Sequence, residues 1–336
     1  MEIKSLTGIR GLAALYVVAF HLADKNAIPQ ILPLIKNGYI AVDFFFVLSG
    51  FIMSLVYYSS LRETTQENYI NFAYNRLARV YPVYLLILIV SFIFDFILNG
   101  VIPTHATVFI NTFFLQSVCA HNYIGSSWSL STEIIAYLLF PLLLAIIRDK
   151  RAIIASVMIA IGTLTYLFAS RTPNSLDYSY LYSSIARCLA DYVIGIAAYV
   201  SFKNGLMFNR NSSYVLVALL LISLNYAETD LYSLALFSAI IPTLIDSKNI
   251  VSKTLSLKPL HYLGNISYSL YLVHSVLITQ FRGQMQFFEH WRTVSFILSL
   301  IISTILFHFV EKPARNWLKS IRTTRTQYSA TELSIN

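Results

Sequence analysis

The sequence predicts an all-α, polytopic membrane bundle of ten transmembrane helices with both termini in the cytoplasm. Hydrophobic residues make up 57% of its 336 residues and charged residues only 12%, which is about half the charged fraction of soluble domains. Apolar runs close to the length of a bilayer crossing recur ten times along the chain. The basic residues gather in the loops on one side of such a bundle, as they do on the cytoplasmic side of membrane proteins.

The ten apolar runs follow one another with short connections. We place the spans at residues 6–23, 39–58, 77–98, 127–147, 152–169, 181–201, 214–226, 231–245, 262–281 and 293–310. The seventh and eighth spans are short and meet at an acidic turn, residues 228–230. We expect one membrane domain over residues 5–312, followed by a short basic and polar cytoplasmic tail over residues 313–336.

A further apolar stretch at residues 108–118 is too short to cross a bilayer, so we expect a short interfacial or re-entrant helix there. The distribution of charge supports this choice. With ten spans and both termini inside, three quarters of the 24 basic residues fall on the cytoplasmic side. If residues 108–118 also crossed, all later loops would change sides and most basic residues would lie outside, against the positive-inside rule.

Composition excludes several classes of function. The net charge of +8 is explained by topology and gives no reason to expect nucleic acid as a partner. The two cysteines, Cys119 and Cys188, form neither a disulfide framework nor the spacing of a metal site. We therefore expect no bound metal.

Ionisable residues within the spans mark a candidate active site, because they are costly in a bilayer. Arg10 and His21 share one face of the first span and are separated by about 16 Å of helical rise. Asp43 and Glu133 enter their spans from the outside, so we expect both at the depth of His21. An imidazole beside a carboxylate is the usual arrangement of a general base, and either Asp43 or Glu133 fits as the residue that orients His21.

The opposite ends of the spans carry a basic cluster. Arg76 and Arg79 begin the third span at the depth of Arg10, and guanidinium groups bind phosphates through paired donors. The alternative reading is that these arginines extend to lipid headgroups and set the topology. Arg187 and Asp191 are four residues apart on one helix, so we expect them to neutralise each other.

Four further residues are candidates for contacting a substrate. Ser127 and Trp128 lie in a polar opening just before Glu133. His274 and Tyr271 project from the ninth span at middle to outer depth. We therefore expect a substrate pocket on the outer side, next to His21.

Six motifs occur in order along nearly the whole chain. They are Arg10 and His21 with ten residues between them, DFFFVLSGF at 43–51, RLARVYP at 76–82, SSWSLSTE at 126–133, NISYSLYLVH at 265–274 and EKPAR at 311–315. In this combination the chain resembles the integral-membrane acyltransferase type 3 family, whose members acylate cell-surface glycans and related molecules.

The resemblance implies a ten-helix bundle with cytoplasmic termini, in agreement with the charge distribution. It implies a cytosolic acyl-CoA donor, with acetyl as the expected acyl group. The acceptor is then a hydroxyl of an extracytoplasmic glycan such as exopolysaccharide, O-antigen or another lipid-linked saccharide. By this likeness His21 is the catalytic histidine, Glu133 an essential carboxylate, and Arg10, Arg76 and Arg79 contact the donor.

The expected location is the inner membrane of a bacterium, with membrane lipids around the bundle. Many family members carry an additional outer domain after the bundle, whereas this sequence ends 24 residues after Lys312. We therefore expect the chain to act alone, as a homo-oligomer or with an extracytoplasmic partner protein. Direct transfer and a covalent acyl-histidine relay both fit the residues.

A second hypothesis is a secondary transporter in which the same His, Asp and Glu residues relay protons. It is disfavoured because the sequence shows no internal repeat. In addition, the arginines are separated from the acid–base residues along the length of the bundle.

Overall fold

The computed structural model describes residues 2–23, 32–62, 65–206, 212–285 and 290–321. Within these ranges the chain is helical and contains no β-strand. Its helices are α1 (Lys4–Leu22), α2 (Leu32–Lys36), α3 (Ala41–Arg62), α4 (Gln66–Asn99), α5 (His105–Thr112), α6 (Gln116–Cys119), α7 (Ser127–Ile146), α8 (Lys150–Ala169), α9 (Leu181–Lys203), α10 (Ser212–Ser223), α11 (Asp230–Thr243), α12 (Ile250–Leu255), α13 (Lys258–Met285) and α14 (Trp291–Leu306). Helix α14 continues through a π-helical segment, Phe307–Glu311, to residue 321.

Each of the ten predicted spans overlaps a helix of the described chain, but those at 214–226, 231–245 and 262–281 are not among the helices with the length and composition of a membrane crossing. Seven of the described helices are long and apolar enough to cross a membrane. They are α1, α3 with the turn before it, α4, α7, α8, α9 and the helix that runs from Trp291 to Ile321. With seven such helices, the chain is a multi-pass integral membrane protein.

Helices α10 and α11 have 12 and 14 residues, fewer than the roughly 20 that a perpendicular crossing needs. Residues 322–336 of the predicted tail lie outside the described residues.

The stretch at 108–118 differs from the expectation of one short helix. Helix α5 ends at Thr112 and α6 begins at Gln116. Between them Phe114 adopts a positive φ of 57°, a left-handed conformation that interrupts an α-helix. The Thr104 side chain caps the start of α5 by accepting a hydrogen bond from the backbone N–H of Thr107. The sequence between α4 and α7 therefore forms two short helices joined by a turn.

Helix α1 packs most extensively against α13, and glycine makes this contact close. A Cβ added at Gly264 of α13 would lie 1.8 Å from the carbonyl oxygen of Thr7, and one added at Gly11 would lie 2.6 Å from the nitrogen of Gly264. Small residues at such crossings let two membrane helices approach backbone to backbone. The two helices are therefore held at a fixed separation and register.

Gly264→Val is expected to lower stability by about 3 kcal/mol, because the new side chain must push α1 away from α13. Thermal unfolding of the detergent-solubilised protein measures the change. The matched control is Gly162→Ala in α8, where an added Cβ meets nothing within 4 Å and alanine favours the helix. Equal unfolding midpoints for Gly264→Val and the wild type would contradict the close contact.

The second extensive contact joins α3 and α9. A Cβ added at Gly195 of α9 would lie 2.1 Å from the carbonyl oxygen of Val47 in α3, so these backbones also touch. Nearer the start of both helices, the same interface brings Asp43 and Arg187 together in an ion pair. The α3–α9 contact therefore places two of the ionisable residues that sequence analysis singled out.

Candidate active site

Two cavities lie along α1, one near Arg10 and one near His21. The arginine cavity has a volume of about 110 Å³ and is lined by Arg10 and Arg79, among other residues. The histidine cavity has a volume of about 240 Å³ and is lined by His21 and by residues of the loops that precede α7 and α9. Val42 and Tyr271 line both cavities, so these two side chains form the wall between them.

His21 lies in the last turn of α1, and its ring is partly accessible from the histidine cavity. Its Nδ1 is 2.9 Å from the carbonyl oxygen of Val17. A carbonyl oxygen only accepts hydrogen bonds, so Nδ1 carries the proton in this contact. In the neutral ring Nε2 then has a lone pair. His21 is thus held in the tautomer that a general base requires.

His274 of α13 is buried directly beside His21. Its Nδ1 is 3.0 Å from the carbonyl oxygen of Leu270, so this nitrogen also donates and Nε2 is left as an acceptor. That Nε2 lies 3.3 Å from Nδ1 of His21. The Nδ1–H group of His21 therefore donates both to the carbonyl oxygen of Val17 and to Nε2 of His274. It lines neither cavity, and its contacts are those of a residue that positions His21.

Asp43, one of the two candidates for orienting His21, pairs with Arg187 instead. Asp43 is completely buried, and its Oδ1 accepts a hydrogen bond of 2.6 Å from Nε of Arg187. Its Oδ2 accepts a second bond from Nη2 of the same guanidinium. Arg187 also donates to the carbonyl oxygens of Tyr39 and Tyr178. A buried guanidinium without a carboxylate would be costly, which explains why Asp43 serves Arg187.

The expected neutralisation of Arg187 by Asp191 is replaced by the same pair. Asp191 is completely buried on α9, yet neither of its carboxylate oxygens has a hydrogen-bond partner among the described residues. The guanidinium instead points its Nε and Nη2 atoms at Asp43, on the neighbouring helix. Helix spacing alone therefore named the wrong acidic partner for Arg187.

Arg10 and Arg79 meet at the arginine cavity from α1 and α4. Nη2 of Arg10 donates a hydrogen bond of 3.2 Å to Oγ of Ser267 on α13. The structure thus brings together two of the three arginines that sequence analysis assigned to one ligand.

Glu133 lies in the arginine cavity, whereas the sequence placed it level with His21. Its Oε1 accepts hydrogen bonds from Ser49 and Tyr137, both at 2.6 Å. Among the described residues it makes no hydrogen bond to His21. Its negative charge acts on Arg10 across the cavity, so Glu133 offsets part of the positive charge there.

Arg76 is close to the arginine cavity but does not line it. Its Nη2 donates to the hydroxyl of Tyr57 at 3.2 Å, and its Nε is buried without a hydrogen-bond partner. Arg76, Arg79 and, on the last helix, Arg315 all lie within electrostatic range of Lys319. We call these four residues, Arg76, Arg79, Arg315 and Lys319, the cationic cluster. It gathers positive charge at the arginine end of the bundle.

Of the residues predicted to contact a substrate, some line a cavity and others are buried away from both cavities. Trp128 lines the histidine cavity and Tyr271 lines both cavities. Ser127 lines neither cavity; its Oγ donates to the carbonyl oxygen of Ile124 at 2.8 Å and accepts from Nε2 of Gln116 at 3.2 Å. Ser127 therefore supports the turn that begins α7.

Three polar residues of these sites were not assigned from the sequence. Glu311 is buried at the end of the π-helical segment, where its Oε2 accepts a bond of 2.7 Å from Oγ of Ser269 and its charge acts on Arg10. Asn122 and Asp177 line the histidine cavity. In the sequence, Glu311 stood out only as part of the EKPAR motif. Asn122 and Asp177 lie in loops, where no helical period assigns a residue to one face.

The two cavities suit different chemistry. The histidine cavity offers a neutral imidazole with a free lone pair, and the arginine cavity adjoins groups that bind anions. Among the described residues no group of three or more His, Cys, Asp or Glu side chains is placed to hold a metal ion. Within those residues the arrangement provides acid–base chemistry and anion binding.

Known proteins match the chain along nearly its whole length. Peptidoglycan O-acetyltransferase OatA of Listeria monocytogenes is 23% identical over 93% of this chain and 56% of its own length. O-acetyltransferase OatA of Staphylococcus aureus strain NCTC 8325 is also 23% identical, over 93% of this chain and 57% of its own length. Acyltransferase MdmB of Streptomyces mycarofaciens is 25% identical over 95% of this chain and 93% of its own length. The chain thus spans a little over half of the length of the OatA proteins.

No solved structure matches the chain. The family model described as an acyltransferase domain covers residues 3–310. Because this match extends over both cavities and five of the six motifs, with EKPAR at 311–315 lying just beyond it, the chain belongs to the integral-membrane acyltransferase type 3 family.

Proposed function

We propose that this protein is a membrane O-acyltransferase that moves an acetyl group from cytosolic acetyl-CoA to a hydroxyl of an extracytoplasmic glycan. The observation that carries the proposal is the tautomer of His21, which leaves a lone pair on Nε2 of a residue that lines a cavity. The relatives named as peptidoglycan O-acetyltransferases support a glycan as the acceptor. In this proposal all ten predicted spans cross a bacterial inner membrane, with the arginine end and both termini in the cytoplasm.

In the proposed reaction, Nε2 of His21 takes the proton of the acceptor hydroxyl while its oxygen attacks the thioester carbonyl carbon. The C–O bond forms, the C–S bond breaks, and the imidazolium returns the proton to the leaving thiolate. His274 accepts a hydrogen bond from Nδ1–H and so stabilises the imidazolium. Tyr271, whose hydroxyl lies 2.8 Å from Oγ of Ser129 at the wall between the cavities, offers a donor to the developing oxyanion.

The donor enters from the arginine end. The cationic cluster suits the phosphates of coenzyme A, because guanidinium groups form paired hydrogen bonds with phosphate oxygens. The unpartnered Nε of Arg76 is one donor that remains for such a ligand. The thioester then extends past Arg10 through the arginine cavity, where Glu133 fixes the hydroxyls of Ser49 and Tyr137. Its carbonyl group meets the acceptor hydroxyl and His21 at the wall that Val42 and Tyr271 form between the two cavities.

The size of the arginine cavity favours a short acyl group. Its volume of about 110 Å³ accommodates a two-carbon acyl group, whereas a long acyl chain would have to displace the aromatic side chains around it. Acetyl is therefore the proposed group.

Reconstitution in proteoliposomes tests the proposal directly. The protein is supplied with acetyl-labelled acetyl-CoA on the arginine side and with envelope glycan on the histidine side. We expect label on the glycan and free coenzyme A in equal amounts. Passage of label or glycan through the membrane without ester formation would favour the transporter hypothesis instead.

Arg79→Ala is expected to raise the Kd for acetyl-CoA about tenfold, since it removes a charged hydrogen-bond donor from the donor site. Isothermal titration of the purified protein with acetyl-CoA measures this change. The matched control is Arg151→Ala, which removes the same charge from an exposed position at the start of α8. Equal Kd values for the two variants would count against a donor site at the cationic cluster.

A further inference from the structure

Two loops contribute to the wall of the histidine cavity. Asn122 belongs to the loop between α6 and α7, and Asp177, Ser179 and Tyr180 belong to the loop between α8 and α9. None of the six sequence motifs includes these four residues. They nevertheless share the cavity with His21, so any molecule that presents a hydroxyl to His21 also meets them.

Asn122 carries a polar atom without a partner. Its Oδ1 is buried and makes no hydrogen bond within the described chain. A buried amide oxygen without a hydrogen bond is unfavourable, and it is satisfied when a donor occupies the adjoining space. Because an oxygen can only accept, the fitting ligand group is a donor such as a hydroxyl.

Asp177 is the acidic residue that shares this cavity with His21, and its charge acts on the His21 ring. One carboxylate oxygen lies 3.5 Å from Nη2 of Arg171, and 40% of the Asp177 side chain is exposed. This pairing leaves acceptor capacity on the carboxylate for further donors. Asp177 therefore offers a second site that accepts hydrogen bonds from hydroxyl groups.

Both acceptors are held in place by anchored neighbours. Next to Asp177, the N–H of Leu176 donates to Asp230 at 2.8 Å and the carbonyl of Tyr178 accepts from Arg187 at 2.9 Å. Next to Asn122, the N–H of Tyr123 donates to Oδ1 of Asn111 at 3.1 Å. These bonds fix the loop backbones, so the two side chains are positioned before any ligand binds.

The remaining wall is aromatic and carries no uncompensated charge. Tyr180 lines the cavity although 64% of its surface is exposed, and Trp128 lines it from α7. The charged groups are compensated in pairs, because Arg187 is bonded to Asp43 and Asp177 faces Arg171. Aromatic faces pack against the C–H groups of a sugar ring, while nearby acceptors bind its hydroxyls.

We propose that Asn122 and Asp177 form the acceptor subsite and accept hydrogen bonds from two hydroxyls of an uncharged saccharide ring. Tyr180 packs against that ring, and a further hydroxyl of the acceptor points at Nε2 of His21. This inference rests on the proposed transferase function and adds to it the residues and the charge of the acceptor. An anionic ring would place its charge next to the Asp177 carboxylate, which is unfavourable.

The experiment uses the full chain in proteoliposomes with saturating acetyl-CoA. The acceptor probe is an enzymatic digest of envelope glycan from the organism whose genome encodes this protein. Mass spectrometry identifies the acetylated fragments. For the fragment acetylated most, Asn122→Ala and Asp177→Ala, which each remove an acceptor, are expected to raise KM about tenfold with the Kd for acetyl-CoA unchanged. The acetylated ring is expected to carry neither carboxylate nor phosphate.

Asn225→Ala is the matched control, because Asn225 is also a half-buried loop asparagine but lines neither cavity. Asp177→Ala alters a side chain that is 40% exposed, so it remains informative if Asn122→Ala unfolds. Unchanged KM in Asp177→Ala, or acetylation of an anionic ring, would overturn the subsite while leaving the transferase function intact. Absence of any transfer by the wild type would overturn both.

Discussion

Replacement of His21 by alanine is expected to lower the rate of acetyl transfer by about 10³-fold at saturating acetyl-CoA and acceptor. The magnitude is that of a positioned general base, which contributes roughly 10²–10⁴-fold. Binding of acetyl-CoA should not change, because His21 lines the histidine cavity and the proposed donor site lies at the arginine end. Single-turnover transfer in proteoliposomes, together with the Kd for acetyl-CoA, measures both quantities.

His274 provides a graded companion to this experiment. His274→Ala removes the acceptor that faces Nδ1 of His21 at 3.3 Å, so kcat should fall while both KM values stay constant. His274→Gln keeps an acceptor oxygen on the same helix and should restore part of the activity. The pH profile of kcat should shift in His274→Ala, which a purely structural loss would not produce. Full activity of His21→Ala would remove the proposed base altogether.

Replacement of Asp43 by alanine is expected to destabilise the protein by about 3–5 kcal/mol, because it leaves the Arg187 guanidinium buried without its carboxylate. Arg187 and Asp43 are both completely buried, so solvent cannot compensate for the loss. Unfolding of the purified protein in mixed micelles of increasing denaturing detergent measures the difference in free energy.

The double variant Asp43→Ala/Arg187→Leu serves as the control for that prediction. It removes both charges, so it should be more stable than Asp43→Ala alone although it carries one more substitution. If the single and double variants unfold at the same detergent fraction, the cost of Asp43→Ala does not come from the unpaired guanidinium.

The extent of the helices and the rise between residues of one helix were predictable from the sequence. The positions of the helices followed from apolar runs of bilayer length, and the placement of Arg10 and His21 at opposite ends of α1 followed from helical rise. Both are local properties, because residues on one helix have a fixed rise and rotation. The interruption between α5 and α6 at Phe114 was not predicted, because the composition of residues 108–118 does not indicate a left-handed residue.

Relations between helices were not predictable in the same way. Depth placed Asp43 and Glu133 near His21, but depth does not determine which way a side chain points around its helix. Asp43 faces Arg187, which is 144 residues away, and His21 faces His274, which is 253 residues away. Such partners depend on which helices are neighbours, and hydropathy does not contain that information.

The loop residues Asn122 and Asp177 were missed for a different reason. Sequence analysis searched for ionisable groups inside spans, where burial makes them conspicuous. Loops have no repeat period that would assign a residue to one face, and polar residues are common in them. Their position beside His21 becomes visible only when the cavity that they line is known.

The glycine contact between α1 and α13 bears on how relatives of this protein can be recombined. The backbones meet at Gly11 and Gly264, and the same two helices carry His21 and His274 further along. A chimera that receives α1 from one homologue and α13 from another would combine two halves of one helix–helix interface. A poor fit at the glycine crossing would then change the distance between His21 and His274. Exchange of both helices together keeps that interface whole.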